Sequence, residues 1–169
     1  MKWGDSMRGF LTTLALALLP GVALGGTLDK IAETGTITLG IRTDSAPFSF
    51  LDGSGQAAGY SVQLCEAVVR QLASELGRDE IEIVYQATNP DTRFPLLIED
   101  KIDLECGSTT YALERTALVD FSLLTFATGA GLLLEQDSGI AGLPDLGGKR
   151  VGVRGGANSE ALLRQLLGA

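Results

Sequence analysis

Apolar and polar residues alternate from Thr36 to Arg42, with Ile37, Leu39 and Ile41 on one face, and this predicts a β-strand. Phe48–Leu51 predicts a second short strand, and Asp52-Gly53-Ser54-Gly55 behind it is a turn signal. From Ser61 to Leu76 the spacing becomes helical. Val62, Cys65, Val68, Val69, Leu72 and Leu76 share a face, Ser61 is the expected N-cap and Gly77 the expected stop. Glu80–Gln86 then reads as a strand, Thr88–Thr92 as a polar loop, Arg93–Glu99 as a short helix and Ile102–Cys106 as a strand. Beyond Val119 the pattern predicts an extended segment at Phe121–Phe126 and a buried strand at Leu132–Leu134. A helical turn at Leu143–Leu146, a strand at Val151–Val153, a loop at 154–158 and a helix from Ser159 to Leu167 follow.

Strands alternating with helices predict an α/β fold with a mostly parallel sheet. Such sheets bind ligands outside the carboxyl ends of their strands. Arg42, the loop from Thr88 to Arg93, and Gly107–Thr110 all follow strands, so they are expected to converge on one edge.

The residues at that edge suit an anion. Gly107 permits close backbone approach, and Ser108, Thr109 and Thr110 bring hydroxyl and backbone N–H groups. Arg115 adds a planar fork of donors that matches a carboxylate. Singly, Arg42, Arg93 and Arg115 also fit ordinary solvated or salt-bridged surface roles, the last with Glu114 or Asp120. The chain has no histidine, which removes imidazole catalysis and histidine metal ligands. Its net charge of -8 argues against nucleic-acid binding.

The amino terminus has the pattern of an export signal. Lys2 and Arg8 precede an apolar run from Phe10 to Leu19, and Ala23-Leu24-Gly25 offers a cleavage site; an uncleaved anchor is the alternative. Export makes Cys65 and Cys106 a disulfide candidate, against two buried small hydrophobes. Two cysteines are too few for a four-ligand zinc site.

Thr36–Arg42, Pro47–Phe50, Gly59–Cys65, Asp103–Thr110 and Glu114-Arg115 together resemble the periplasmic amino-acid-binding proteins of ABC importers, solute-binding protein family 3. The resemblance spans residues 27 to 167 and is strongest to the glutamate/aspartate-binding branch. It implies a periplasmic-binding-protein-like (type II) fold: a signal peptide at 1–25, a first ligand-binding lobe at 26–126, and a hinge and partial second lobe at 127–169. It implies that Arg115 holds an α-carboxylate, helped by Ser108 and Thr110, and that Arg42 and Arg93 receive a side-chain carboxylate. Phe48 would pack on the ligand's aliphatic part or serve as a core aromatic. It further implies a periplasmic monomer working with an inner-membrane permease, without cofactor, metal or catalytic residue.

Three departures qualify it. Where the family's second lobe carries Gly-Thr-Thr, this chain has Gly156-Ala157-Asn158, of which Asn158 keeps a donor side chain. Pro90 stands where the branch places a serine. The second lobe is expected to be cut short, which leaves a non-functional remnant as one alternative. The other is an enzyme on the same scaffold, of the cyclic-carboxylate dehydratase type, for which Glu105 is the one carboxylate near the motif.

Overall fold

Strand β1 (Thr36–Arg42) lies between two parallel neighbours, β5 (Glu82–Thr88) and β6 (Leu104–Cys106), in the order β5-β1-β6. The computed structural model describes residues 26–168; the expected signal peptide lies outside the described residues. Leu39 pairs with Tyr85 on one side and Leu104 on the other, and Ile41 with Ala87 and Cys106. A strand paired on both edges and covered by helices must be apolar, and Ile37, Leu39 and Ile41 are buried. Gly40 is equally constrained, because a Cβ there would strike Ile102.

Helix α2 (Tyr60–Glu75) lays Val62, Cys65, Val69 and Ala73 onto this sheet. It starts earlier than expected. Gly59, not Ser61, is its N-cap, at a φ of 120° and so close to Phe48 that a Cβ would strike the Phe48 carbonyl oxygen. Helix α1 (Thr27–Thr34), which the sequence pattern did not predict, adds Ile31 to the core. Lys30 on α1 pairs with Asp103, whose other oxygen accepts from the Thr38 N–H at 2.8 Å. A second, antiparallel sheet is built from β2 (Asp44–Ser45), β3 (Ser49–Leu51) and β4 (Ala57–Ala58). It lies directly after the carboxyl end of β1. Helix α3 (Arg93–Ile98) follows β5.

The cysteines are joined. The Cys65–Cys106 disulfide ties α2 to β6, with Cα atoms 6.2 Å apart.

After residue 118 the expected helical turn at Leu143–Leu146 and the helix to Leu167 form, but the two expected strands do not. Leu132–Leu134 and Val151–Val153 form no strand, and no strand occurs beyond Cys106 among the described residues. Leu133 is fully exposed. An apolar run becomes a strand only where a neighbour takes its backbone hydrogen bonds, and no such bonds to either run occur among the described residues. The expected second α/β unit is therefore represented by a 3-10 turn at Leu143–Leu146 and by helix α4 (Asn158–Leu167), among the described residues. Phe48, Tyr60 and Phe126 pack edge-on against one another and hold the extended segment to the first unit. The Phe48 and Phe126 ring centroids are 5.0 Å apart, and the Tyr60 hydroxyl donates to the Thr125 carbonyl at 2.7 Å. No helix among the described residues is long and apolar enough to cross a membrane.

The disulfide closes a loop of 41 residues. Replacing both cysteines by alanine is expected to cost about 4 kcal/mol, read as a lower urea midpoint for the variant than for the oxidised chain.

Candidate functional site

The parallel register brings three strand ends together. Arg42 ends β1, opposite Thr88 at the end of β5, and Cys106 ends β6 beside Ile41. Buried hydroxyls pin this edge. The Arg42 N–H donates to Ser49 Oγ at 2.9 Å, and Thr88 Oγ1 donates to the Ile41 carbonyl at 3.0 Å. In the next loop Asn89 Oδ1 accepts from the N–H groups of Asp91 (2.8 Å) and Thr92 (2.9 Å), a turn that delivers Arg93 at the start of α3.

A cavity of about 100 Å³ opens above this edge. Arg42, Arg93, Ser108, Thr110, Arg115 and Asn158 all line it, as do Ser45, Pro90, Arg154 and Ala157. Six of the seven residues expected to contact ligand are thus brought together. The seventh, Phe48, does not line the cavity; it is half-buried against Tyr60 and Phe126. A larger depression of about 600 Å³ lies against α4, but its walls are mainly aliphatic and Arg154 is its one charged group. Convergent polar groups, not size, mark the smaller cavity as the candidate site.

The cations are held in different ways. Arg42 and Arg93 are buried, and the Nε of each has no partner among the described residues. Arg115 Nη1 donates to the Thr110 carbonyl at 2.9 Å, which leaves the rest of its fork open. Phe94 steadies two of them: Arg93 lies over its ring at 4.9 Å and Arg115 at 5.4 Å. Burial pulls the Arg93 pKa below its ordinary value, Glu105 opposes this, and the positive fields of Arg115 and Arg42 add to the downward pull. Crowded, partly desolvated guanidinium groups with unused donors gain from an added anion.

Glu105 lies beneath the cradle. Burial pushes its carboxyl above the ordinary range, with Thr109, Arg93 and Arg42 pulling the other way. Its Oε1 has no partner among the described residues, and a Cβ on Gly107 would strike that oxygen. Gly107 is needed here for space, because its neighbours are the buried carboxylate and the Arg42 stem.

The loop before α4 closes one side. A Cβ on Gly156 would come within 3.1 Å of Asp91 Oδ1 and 3.4 Å of Pro90, so this loop rests on the loop carrying Arg93. Arg154 begins it. Its Nη2 donates to Asp44 Oδ2 at 2.9 Å, while Arg42 Nη2 donates to Asp44 Oδ1 at 2.6 Å. The hydrogen bond from Arg154 leads in holding the Asp44 carboxyl below its usual range. Sequence reasoning missed Asp44, Arg154 and Phe94. The topology rule that singled out Arg42 applies equally to the polar residues just after β1, so Asp44 was within its reach. No group of three or more potential metal ligands occurs among the described residues.

The profile of the bacterial extracellular solute-binding proteins, family 3, matches residues 37–166. The L-glutamate/L-aspartate-binding protein of Pseudomonas aeruginosa is 41% identical over 169 residues, covering 98% of this chain and 56% of that protein. The glutamate/aspartate import solute-binding protein of Salmonella typhimurium is 40% identical, covering 95% of this chain and 53% of its own length. The chain thus spans about half the length of these curated relatives. Among solved structures, the ancestral amino-acid-binding protein AncCDT-1, described as a precursor of cyclohexadienyl dehydratase, matches with a TM-score of 0.75 at 30% identity. That match covers 84% of this chain and 61% of the other. The arginine-bound domain 1 of TmArgBP, a Phe57Trp mutant, matches with a TM-score of 0.54 at 30% identity, over 62% of this chain and 75% of that one.

The buried carboxylate gives a pH test. A folded-state pKa above the ordinary 4.5 means that ionised Glu105 costs stability. The cost is absent below the unfolded value and appears as pH rises through the folded one. The stability of the wild type minus that of Glu105→Gln should therefore fall as pH is raised upward from 4.5, in urea titrations of both chains.

Proposed function

Because the chain belongs to the bacterial extracellular solute-binding proteins, family 3, we propose that it captures an amino acid outside the cytoplasm and presents it to an ABC-type permease of the inner membrane. The ligand class is acidic, glutamate or aspartate, and the working form is a periplasmic monomer. One observation carries this reading: Arg42, Arg93 and Arg115 converge on one small cavity beside the hydroxyls of Ser108 and Thr110. A dicarboxylic amino acid carries two anionic ends and needs cations at both. In this reading Arg115 receives the α-carboxylate together with Ser108 and Thr110, Arg93 and Arg42 receive the side-chain carboxylate, and Asn158 adds a hydrogen bond from the α4 side. Two relatives named for glutamate and aspartate, at 41% and 40% identity, support the acidic preference. These relatives are transport binding proteins rather than enzymes, which favours capture over turnover.

Isothermal titration calorimetry with L-glutamate, L-aspartate and L-glutamine tests this. Binding without product formation is expected. Replacing Arg115 by alanine removes a charged hydrogen bond worth about 1.5–3 kcal/mol, so affinity for all three falls about tenfold or more. Arg93→Ala weakens the two acidic ligands and spares L-glutamine. An affinity for Arg115→Ala within a few-fold of wild type contradicts the role given to Arg115. Conversion of a cyclic carboxylate contradicts the binding-protein reading.

A further inference from the structure

Asp44 and Arg154 form an ion pair 110 positions apart in sequence, and Arg154 lines the same cavity as Arg42. The Asp44 carboxylate accepts from Arg42 Nη2 at 2.6 Å and from Arg154 Nη2 and Nη1 at 2.9 and 3.5 Å. The three side chains differ in burial: that of Arg42 is 5% exposed, that of Arg154 45% and that of Asp44 55%. A buried guanidinium is costly without a counter-anion. Asp44 supplies one from the solvent side, where its own carboxylate rehydrates readily when displaced.

We propose that Asp44 is the resident occupant of a cationic pole formed by Arg42 and Arg154, and that exchange of its carboxylate for one on the ligand sets the discrimination between dicarboxylic and neutral amino acids. This deepens the reading of the cleft as an amino-acid site and, for its amino-acid arms, rests on it. A second ligand carboxylate, received by Arg42 and Arg93 and within reach of Arg154 in the same cavity, can replace Asp44 as the counter-anion while Arg42 stays neutralised. The amide of L-glutamine cannot neutralise the buried charge, so the Asp44 bridge persists when it binds. Arg154 is on this account a specificity-determining residue, supplied by the loop before α4 and not by the strand-end cradle. Asp44 is a positioning residue that acts through the two arginines.

The test is calorimetry on the full chain, Asp44→Asn and Arg154→Ala, with L-glutamate, L-glutamine and glutarate. Glutarate has two carboxylates and no amino group, so it reports on the cationic poles alone. Asp44→Asn vacates the pole, and glutarate and L-glutamate are expected to bind about tenfold more tightly while L-glutamine changes by less than about twofold. Arg154→Ala is expected to lower the preference for L-glutamate over L-glutamine by about tenfold, with Arg154→Lys restoring part of it. A merely structural bridge would move all three ligands together. Equal changes for L-glutamate and L-glutamine in either variant overturn the proposal, as does a failure of glutarate to bind both wild type and Asp44→Asn at millimolar concentration. If glutarate responds as expected but neither amino acid binds, the exchange stands and the amino-acid reading of the cleft falls.

Discussion

Everything at the candidate site depends on β1 being paired in parallel on both edges. The pairing with β5 and β6 buries Ile37, Leu39 and Ile41 and fixes where three strands end. Because the strands are parallel, all three ends point the same way. Arg42, the loop leading to Arg93, and the Gly107–Thr110 run therefore emerge together, although Arg42 and Gly107 are 65 positions apart in sequence. A slip of one residue in β1 would turn Arg42 to the opposite face and bury a charge among aliphatic side chains. The site's geometry is a consequence of sheet register before it is a property of any single side chain.

Around that edge the chain concentrates charge where burial makes charge expensive. Arg42 and Arg93 are both buried, Glu105 lies below them, and Arg115 and Arg154 stand at the mouth. The first unit tolerates this because its core and tethers lie elsewhere. The Cys65–Cys106 disulfide and the Asp103 contacts to Lys30 and Thr38 hold α2, α1 and β6 to the sheet without using any cavity-lining residue. Stability and recognition are carried by separate groups, so the arginines remain free to be crowded. Crowded cations with unused donors are what an anionic ligand would relieve.

The first unit was largely legible in the sequence because its signals are local. Alternation over Thr36–Arg42 and helical spacing from Val62 onward each report a buried face directly, and the strand-end rule then located Arg42, Arg93, Ser108 and Thr110. Helix α1 was not legible, since eight residues burying Ile31 alone leave no period to read. Leu132–Leu134 misled for the opposite reason. Its composition says strand, but strand formation needs a partner, and composition says nothing about partners. The Asp44–Arg154 pair was not legible because nothing local links two polar residues 110 positions apart in sequence. Only the fold of the segment after Val119 onto the β2–β3 corner shows that they meet. Phe48 was expected either to pack on a ligand's aliphatic part or to serve as a core aromatic; it does not line the cavity, and its aromatic neighbours are Tyr60 and Phe126.

One anion site is assembled from the β1, β5 and β6 strand ends and closed by the loop before α4. A crystal structure of this chain grown with L-glutamate tests it most directly. The α-carboxylate is expected within hydrogen-bond distance of the Arg115 guanidinium and the side-chain carboxylate between Arg42 and Arg93, with Asn158 in contact. Glutamate density in the aliphatic depression against α4, or in the cavity with its α-carboxylate away from Arg115, would contradict it.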